Sequence, residues 1–136
     1  MTQSFIFDWS RVSDFWNQWN KKFQVSAMNG ANNFQLVVAS YCGENIDDCI
    51  FNGILLPTVT VATTLDCGLV FDGETIRLSD TVQWTLNTTV SPVKAIFLRD
   101  KQTGYVLGYS IANTSFEVTN KLLFDKDMIF WSFEDG

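Results

Sequence analysis

Val93-Lys94-Ala95-Ile96-Phe97-Leu98-Arg99-Asp100-Lys101-Gln102-Thr103-Gly104-Tyr105-Val106-Leu107-Gly108-Tyr109-Ser110-Ile111 decides the fold. Two runs rich in Val, Ile, Leu, Phe and Tyr flank a polar stretch from Arg99 to Gly104. Residues of the first kind suit a pleated, half-buried surface. A glycine can take the positive φ that closes a hairpin, and Gly104 stands where one is needed. The stretch therefore predicts an antiparallel pair. A second pair is expected downstream, from Phe116-Glu117-Val118 and Leu122-Leu123-Phe124 through Asp125-Lys126-Asp127 to Met128–Phe133.

Upstream, Leu69-Val70-Phe71, Asp72-Gly73 and Thr75-Ile76-Arg77-Leu78 give the plainest hairpin signal of the chain. Phe34–Tyr41 has a strongly apolar middle and reads as a central strand. Thr58–Thr63 and Thr81–Leu86 alternate as half-exposed strands do. Pro57 cannot donate a ladder hydrogen bond, so an edge or bulge is expected beside it. Gly43–Asn52, holding Glu44, Asp47 and Asp48, reads as an acidic loop.

One helix is expected, over about residues 11–23. Val12, Phe15, Trp16, Trp19 and Phe23 recur at helical spacing on one face. Asp8 or Ser10 can cap its start, and Lys21 and Lys22 suit the negative end of its dipole. That aromatic face either covers the sheet within the chain or docks on a neighbouring subunit. The whole predicts a mainly β, single domain over residues 1–136: an antiparallel β-sandwich or flattened barrel of about eight strands, from about 34 to 133, with one N-terminal amphipathic helix.

Composition narrows the function classes. Of 136 residues, 46% are hydrophobic and 15% aromatic, enough for a sizeable core. A net charge of −6 argues against nucleic-acid binding and against docking on an anionic membrane. No segment approaches the roughly 20 apolar residues of a membrane span. Met1–Trp9 shows no basic n-region followed by an apolar core, so no secretory signal is expected. Cys42, Cys49 and Cys67 are then expected as reduced thiols, with a Cys42–Cys49 bridge as the alternative.

Histidine is absent. The commonest general base and metal ligand is thereby missing, and with it every Ser–His or Cys–His pairing. No glycine-rich phosphate loop is present; Gly104-x-x-x-Gly108 lies in a strand pair. The acids Glu44, Asp47, Asp48, Asp125 and Asp127 fit turn chemistry, in which Asp binds nearby backbone N–H groups, better than cation binding or glycoside hydrolysis. The reading is of a non-enzyme with no cofactor and no metal site. Trp84, Tyr105, Tyr109 and Trp131 are core candidates, with a sugar-binding face as the other possibility. The tripeptides beginning at Asn87 and Asn113 match a glycosylation pattern but read as turns.

In its last third the chain resembles small virion proteins of tailed bacteriophages. Their pattern is a Val-x-x-Ile-Phe-Leu strand with a following Asp, a Thr-Gly turn and a Tyr-Val-Leu-Gly-Tyr strand. Val-x-x-x-x-Leu-x-Phe and a closing Ile-x-Trp strand come after these. Here the elements are Val93–Asp100, Thr103-Gly104, Tyr105–Tyr109, Val118–Phe124 and Ile129-Phe130-Trp131. An aromatic helix followed by Asn33–Tyr41, and Trp84 shortly before Pro92-Val93, also look like such proteins. The resemblance implies a structural component of capsid, neck or tail, located in the virion. Its partners would be other virion proteins and further copies of itself. Val12, Phe15, Trp16 and Trp19 are the candidate contact residues. A carbohydrate- or receptor-binding β-module is the alternative.

Overall fold

In the computed structural model of the chain, residues 6–7, 32–71 and 75–132 are described. The helix expected over 11–23, with Val12, Phe15, Trp16 and Trp19, lies outside them. The described chain is mainly β. Its strands are β1 (Ile6–Phe7), β2 (Phe34–Tyr41), β3 (Ile50–Phe51), β4 (Ile54–Leu55), β5 (Thr60–Cys67), β6 (Leu69–Phe71), β7 (Thr75–Leu78), β8 (Val82–Asp100), β9 (Val106–Phe124) and β10 (Ile129–Ser132). A 3-10 turn, Ile46–Asp48, precedes β3. The main sheet is curled and antiparallel, in the order β1-β9-β8-β2-β5. A three-stranded sheet runs β10-β7-β6, and β3 and β4 form a small hairpin.

β2 is central because both of its faces are apolar. Phe34, Leu36 and Val38 point into one core with Leu98, Leu107, Leu69, Ile76 and Leu78. Val37 and Ala39 point to the other side and join Ala95, Phe97 and Val106 under a cover made by Cys42, Cys49, Ile50 and Val59. The first side is therefore packed by the small sheet, the second by the excursion between β2 and β5. Each such Leu, Phe or Val removed from water stabilises the fold by about 1.5–3 kcal/mol. A strand clad on both faces reads as a continuous apolar run, as Leu36–Ala39 does.

The hairpin expected over Val93–Ile111 is present, with Phe97 opposite Tyr109 and Ala95 opposite Ile111. Asp100 closes it. Its buried carboxylate accepts the Thr103 N–H at 2.8 Å and the Thr103 hydroxyl at 2.7 Å. Gly104, at φ +77, donates its N–H to the Asp100 carbonyl. The hairpin of β6 and β7 also forms as read, with Leu69 opposite Leu78 and Phe71 opposite Ile76.

Three expectations are corrected. β8 and β9 continue through Asn87 and Asn113, where turns were read. The polar residues there are absorbed as irregularities of the ladder: residues 86–89 face Asn120, at φ +66, and residues 112–115 face Lys94. Phe116–Val118 and Leu122–Phe124 belong to β9 alone, and they pair with β8. The turn at Asp125–Asp127 then passes the chain to the other sheet, where β10 pairs with β7. Finally, part of the acidic loop is a hairpin. Phe51-Asn52-Gly53-Ile54 turns through φ +52 and φ +81, the positive pair of a two-residue turn joining β3 to β4.

Pro92 obeys the edge rule. β2 pairs with β8 only from Ala95 to Asp100, so Pro92 lies beyond it with β9 on its other side.

Candidate assembly surface

β5 forms the rim of the main sheet. It pairs with β2, and among the described residues no strand pairs with its outer edge. From Thr60 to Leu65 it carries neither charge nor proline. An extra residue, Ala62, sits between the Val38–Thr63 and Ala39–Val61 pairs, and Thr63–Cys67 continue in regular register. A bulge of this kind increases local twist. The regular half still offers the row of backbone donors and acceptors that lets a strand edge pair with another chain.

A polar row holds β5 in place near its end. Arg99 Nε donates to Gln35 Oε1 at 2.9 Å, and Gln35 Nε2 donates to Asp66 Oδ1 at 3.0 Å. Lys101 Nζ donates to Asp66 Oδ2 at 2.7 Å. Lys101 and Gln35 hold the Asp66 carboxyl below its usual range. Burial lowers the pKa of the Arg99 guanidinium. The row spans β8, β2 and β5, so it fixes the rim against the centre of the sheet.

Large apolar side chains stand out around the excursion. Tyr41 is 63% exposed at the end of β2 and Val61 45% exposed on β5. Phe51 is 69% and Ile54 44% exposed, and the two are cross-strand partners on the β3–β4 hairpin. Phe51 is not among the residues expected from sequence to form a contact. Its signal was the Asn-Gly pair between two apolar residues, easily missed when each flanking strand is two residues long. Alternation over Thr58–Thr63 puts Val59 and Val61 on one face, yet Val59 is buried and Val61 exposed.

The residues singled out from sequence are dispersed. Trp84 and Tyr105 are partly buried against the core that holds Phe34 and Leu36. Tyr109 packs on the opposite core with Ile111. These three rings do not share one exposed face, and the Trp131 side chain lies outside the described residues. Glu44 pairs with Lys94 at 3.3 Å, and Lys94 also donates to the Ala112 carbonyl at 2.7 Å. Asp127 pairs with Arg77 at 2.7 Å across the second sheet. Asp47 and Asp48 lie exposed on the 3-10 turn. Among the described residues no three of His, Cys, Asp and Glu are grouped to hold a metal ion.

Cys42, Cys49 and Cys67 are free and buried. Burial, with the Cys49 hydrogen bond next, pushes the Cys42 thiol up to about 12. Burial and the Asp66 charge do the same to Cys67, also to about 12. At neutral pH such thiols are protonated, and a protonated thiol is a poor nucleophile. What the described surface offers is a strand edge and exposed apolar side chains, the chemistry of contact. Compared with family models, with curated proteins and with solved structures, the chain matches none.

Proposed function

We propose that the protein is a non-enzymatic structural component of a bacteriophage virion, part of a capsid, neck or tail, that works by contact with copies of itself and with other virion proteins. The observation that carries this reading is the outer edge of β5, paired on one side only among the described residues and without charge or proline from Thr60 to Leu65. Such an edge can add a strand from another chain, with backbone hydrogen bonds supplying affinity and side chains supplying register. Exposed Tyr41, Val61, Phe51 and Ile54 add apolar area that gains by leaving water. The sequence resemblance of Val93–Tyr109 and Ile129–Trp131 to small virion proteins supplies the setting.

In this reading the two sheets complete a β-sandwich, and a helix over about residues 11–23 presents Val12, Phe15, Trp16 and Trp19 as a second contact region. The test is incorporation. Particles from a phage encoding the chain are banded on a density gradient and analysed by mass spectrometry. The chain should co-band in fixed stoichiometry to the major capsid protein. Its absence from washed particles overturns the proposal.

A further inference from the structure

Cys42 follows β2 directly and Cys49 precedes β3, so the two bracket the loop that carries the 3-10 turn. The fold brings their side chains together. Both are buried in one core, and the Cys49 thiol donates to the carbonyls of Asn45 at 3.3 Å and of Gly43, the residue after Cys42, at 3.6 Å. The Cys49 N–H is fixed on the Ile46 carbonyl, and its own carbonyl accepts the Leu56 N–H. The Cys49 sulfur thus reaches the residue next to Cys42 from constrained backbone, with both side chains in the same core as Val37 and Phe97. Cys67 is elsewhere: it lies opposite Phe34, at the far end of β2 from Cys42, and belongs to the other core.

We propose that Cys42 and Cys49 are a disulfide-forming pair whose oxidation ties the β3–β4 hairpin to the end of β2. With glutathione disulfide as oxidant the step is balanced. The Cys49 sulfur, as thiolate, attacks one glutathione sulfur, forming a mixed disulfide and expelling glutathione thiolate. The Cys42 thiol, losing its proton to solvent, attacks the Cys49 sulfur of that mixed disulfide and expels the second glutathione. Two electrons pass to glutathione disulfide, and the protein loses two hydrogens. Burial raises the Cys49 pKa overall, while hydrogen bonding to Cys42 and the Gly43 backbone, and the Lys94 charge, act to lower it. The reaction is accordingly slow in the closed loop and faster at alkaline pH, where thiolate is more abundant.

The full chain is incubated with glutathione disulfide, alkylated under denaturing conditions, and mapped by mass spectrometry. The expected result is one alkylated cysteine, Cys67, and a peptide cross-linked through Cys42 and Cys49. Closing this short loop should raise the Tm by about 5–10 °C, reversed by dithiothreitol. Cys42→Ser should instead trap a glutathione adduct on Cys49. Three alkylated cysteines after oxidation, an adduct on the unsubstituted chain without cross-link, or disulfide-linked dimers would each overturn the proposal. A cross-link between Cys67 and either other cysteine would overturn it too.

Discussion

Gly53 lies against the ring of Tyr105. A Cβ at Gly53 would overlap the edge of that ring, and the glycine sits at φ +81, where side chains are rarely tolerated. The contact is reinforced by the Val106 N–H, which donates to the Gly53 carbonyl at 2.8 Å. In this way the tip of the β3–β4 hairpin is seated on the start of β9, far along the chain.

Gly53→Ala should therefore destabilise the protein by about 1–3 kcal/mol, combining backbone strain with displacement of the ring. Urea unfolding followed by tryptophan fluorescence measures it. Gly53→Ala combined with Tyr105→Ala should recover the steric share of the cost and leave the φ share.

Asp100 is a buried carboxylate serving a turn. Asp100→Ala leaves the Thr103 N–H and hydroxyl without their acceptor and should cost about 1–3 kcal/mol. Thr103→Ala keeps the N–H bond to the buried carboxylate and loses the hydroxyl's bond to Asp100 and its acceptance of the exposed Tyr105 N–H at 3.2 Å, and should cost less. Comparing the two by chemical denaturation checks the division.

Lys94 and Glu44 contribute unequally to their ion pair. Glu44 is an exposed partner, so Glu44→Gln should change stability by less than about 0.5 kcal/mol. Lys94→Ala exposes the Ala112 carbonyl to the loss of its donor and leaves a gap where a buried stem had packed, at a cost of about 2 kcal/mol. Thermal or urea unfolding of both variants at one ionic strength decides it.

The thiols set an alkaline limit. The folded pKa of Cys67 is raised from 9.0 to about 12, so the stabilisation is complete below pH 9 and is lost as pH rises toward 12. In that window the unfolded chain ionises and the folded one does not. One such group tilts stability by at most about 1.4 kcal/mol per pH unit. Cys67→Ala should make the alkaline limb shallower, leaving the share of Cys42, which is raised likewise, while lowering stability at neutral pH by about 1 kcal/mol for the lost volume. Denaturation midpoints between pH 8 and 11, with dithiothreitol present, test the slope.

How much of this was legible beforehand depends on how local the pairing is. The hairpins of β6 with β7 and of β8 with β9 were readable because their turns carry glycine between apolar runs. Asn87 and Asn113 misled because turn residues also fill ladder irregularities, and only the opposing strand distinguishes the two. The partner of β10 was hidden since β7 is about fifty residues earlier, as the Arg77–Asp127 pair illustrates. At the candidate surface, alternation marked Thr58–Thr63 as a half-exposed strand, but did not show that Val61 would be exposed beside buried Val59 where the ladder is irregular. The place of β5 at the rim was not legible, because strand order is a property of the assembled sheet.

The central claim is that this chain acts by associating with itself and its neighbours, and its mass in solution tests that most directly. Light scattering on the eluting peak of a size-exclusion column, across a wide concentration range, should give a mass of at least two chains, a whole multiple of 15.4 kDa. Val61→Asp, which places a charge on the β5 edge, should shift the mass toward 15.4 kDa with its β-type circular dichroism intact. A mass of 15.4 kDa for the unsubstituted chain at every concentration would contradict the account.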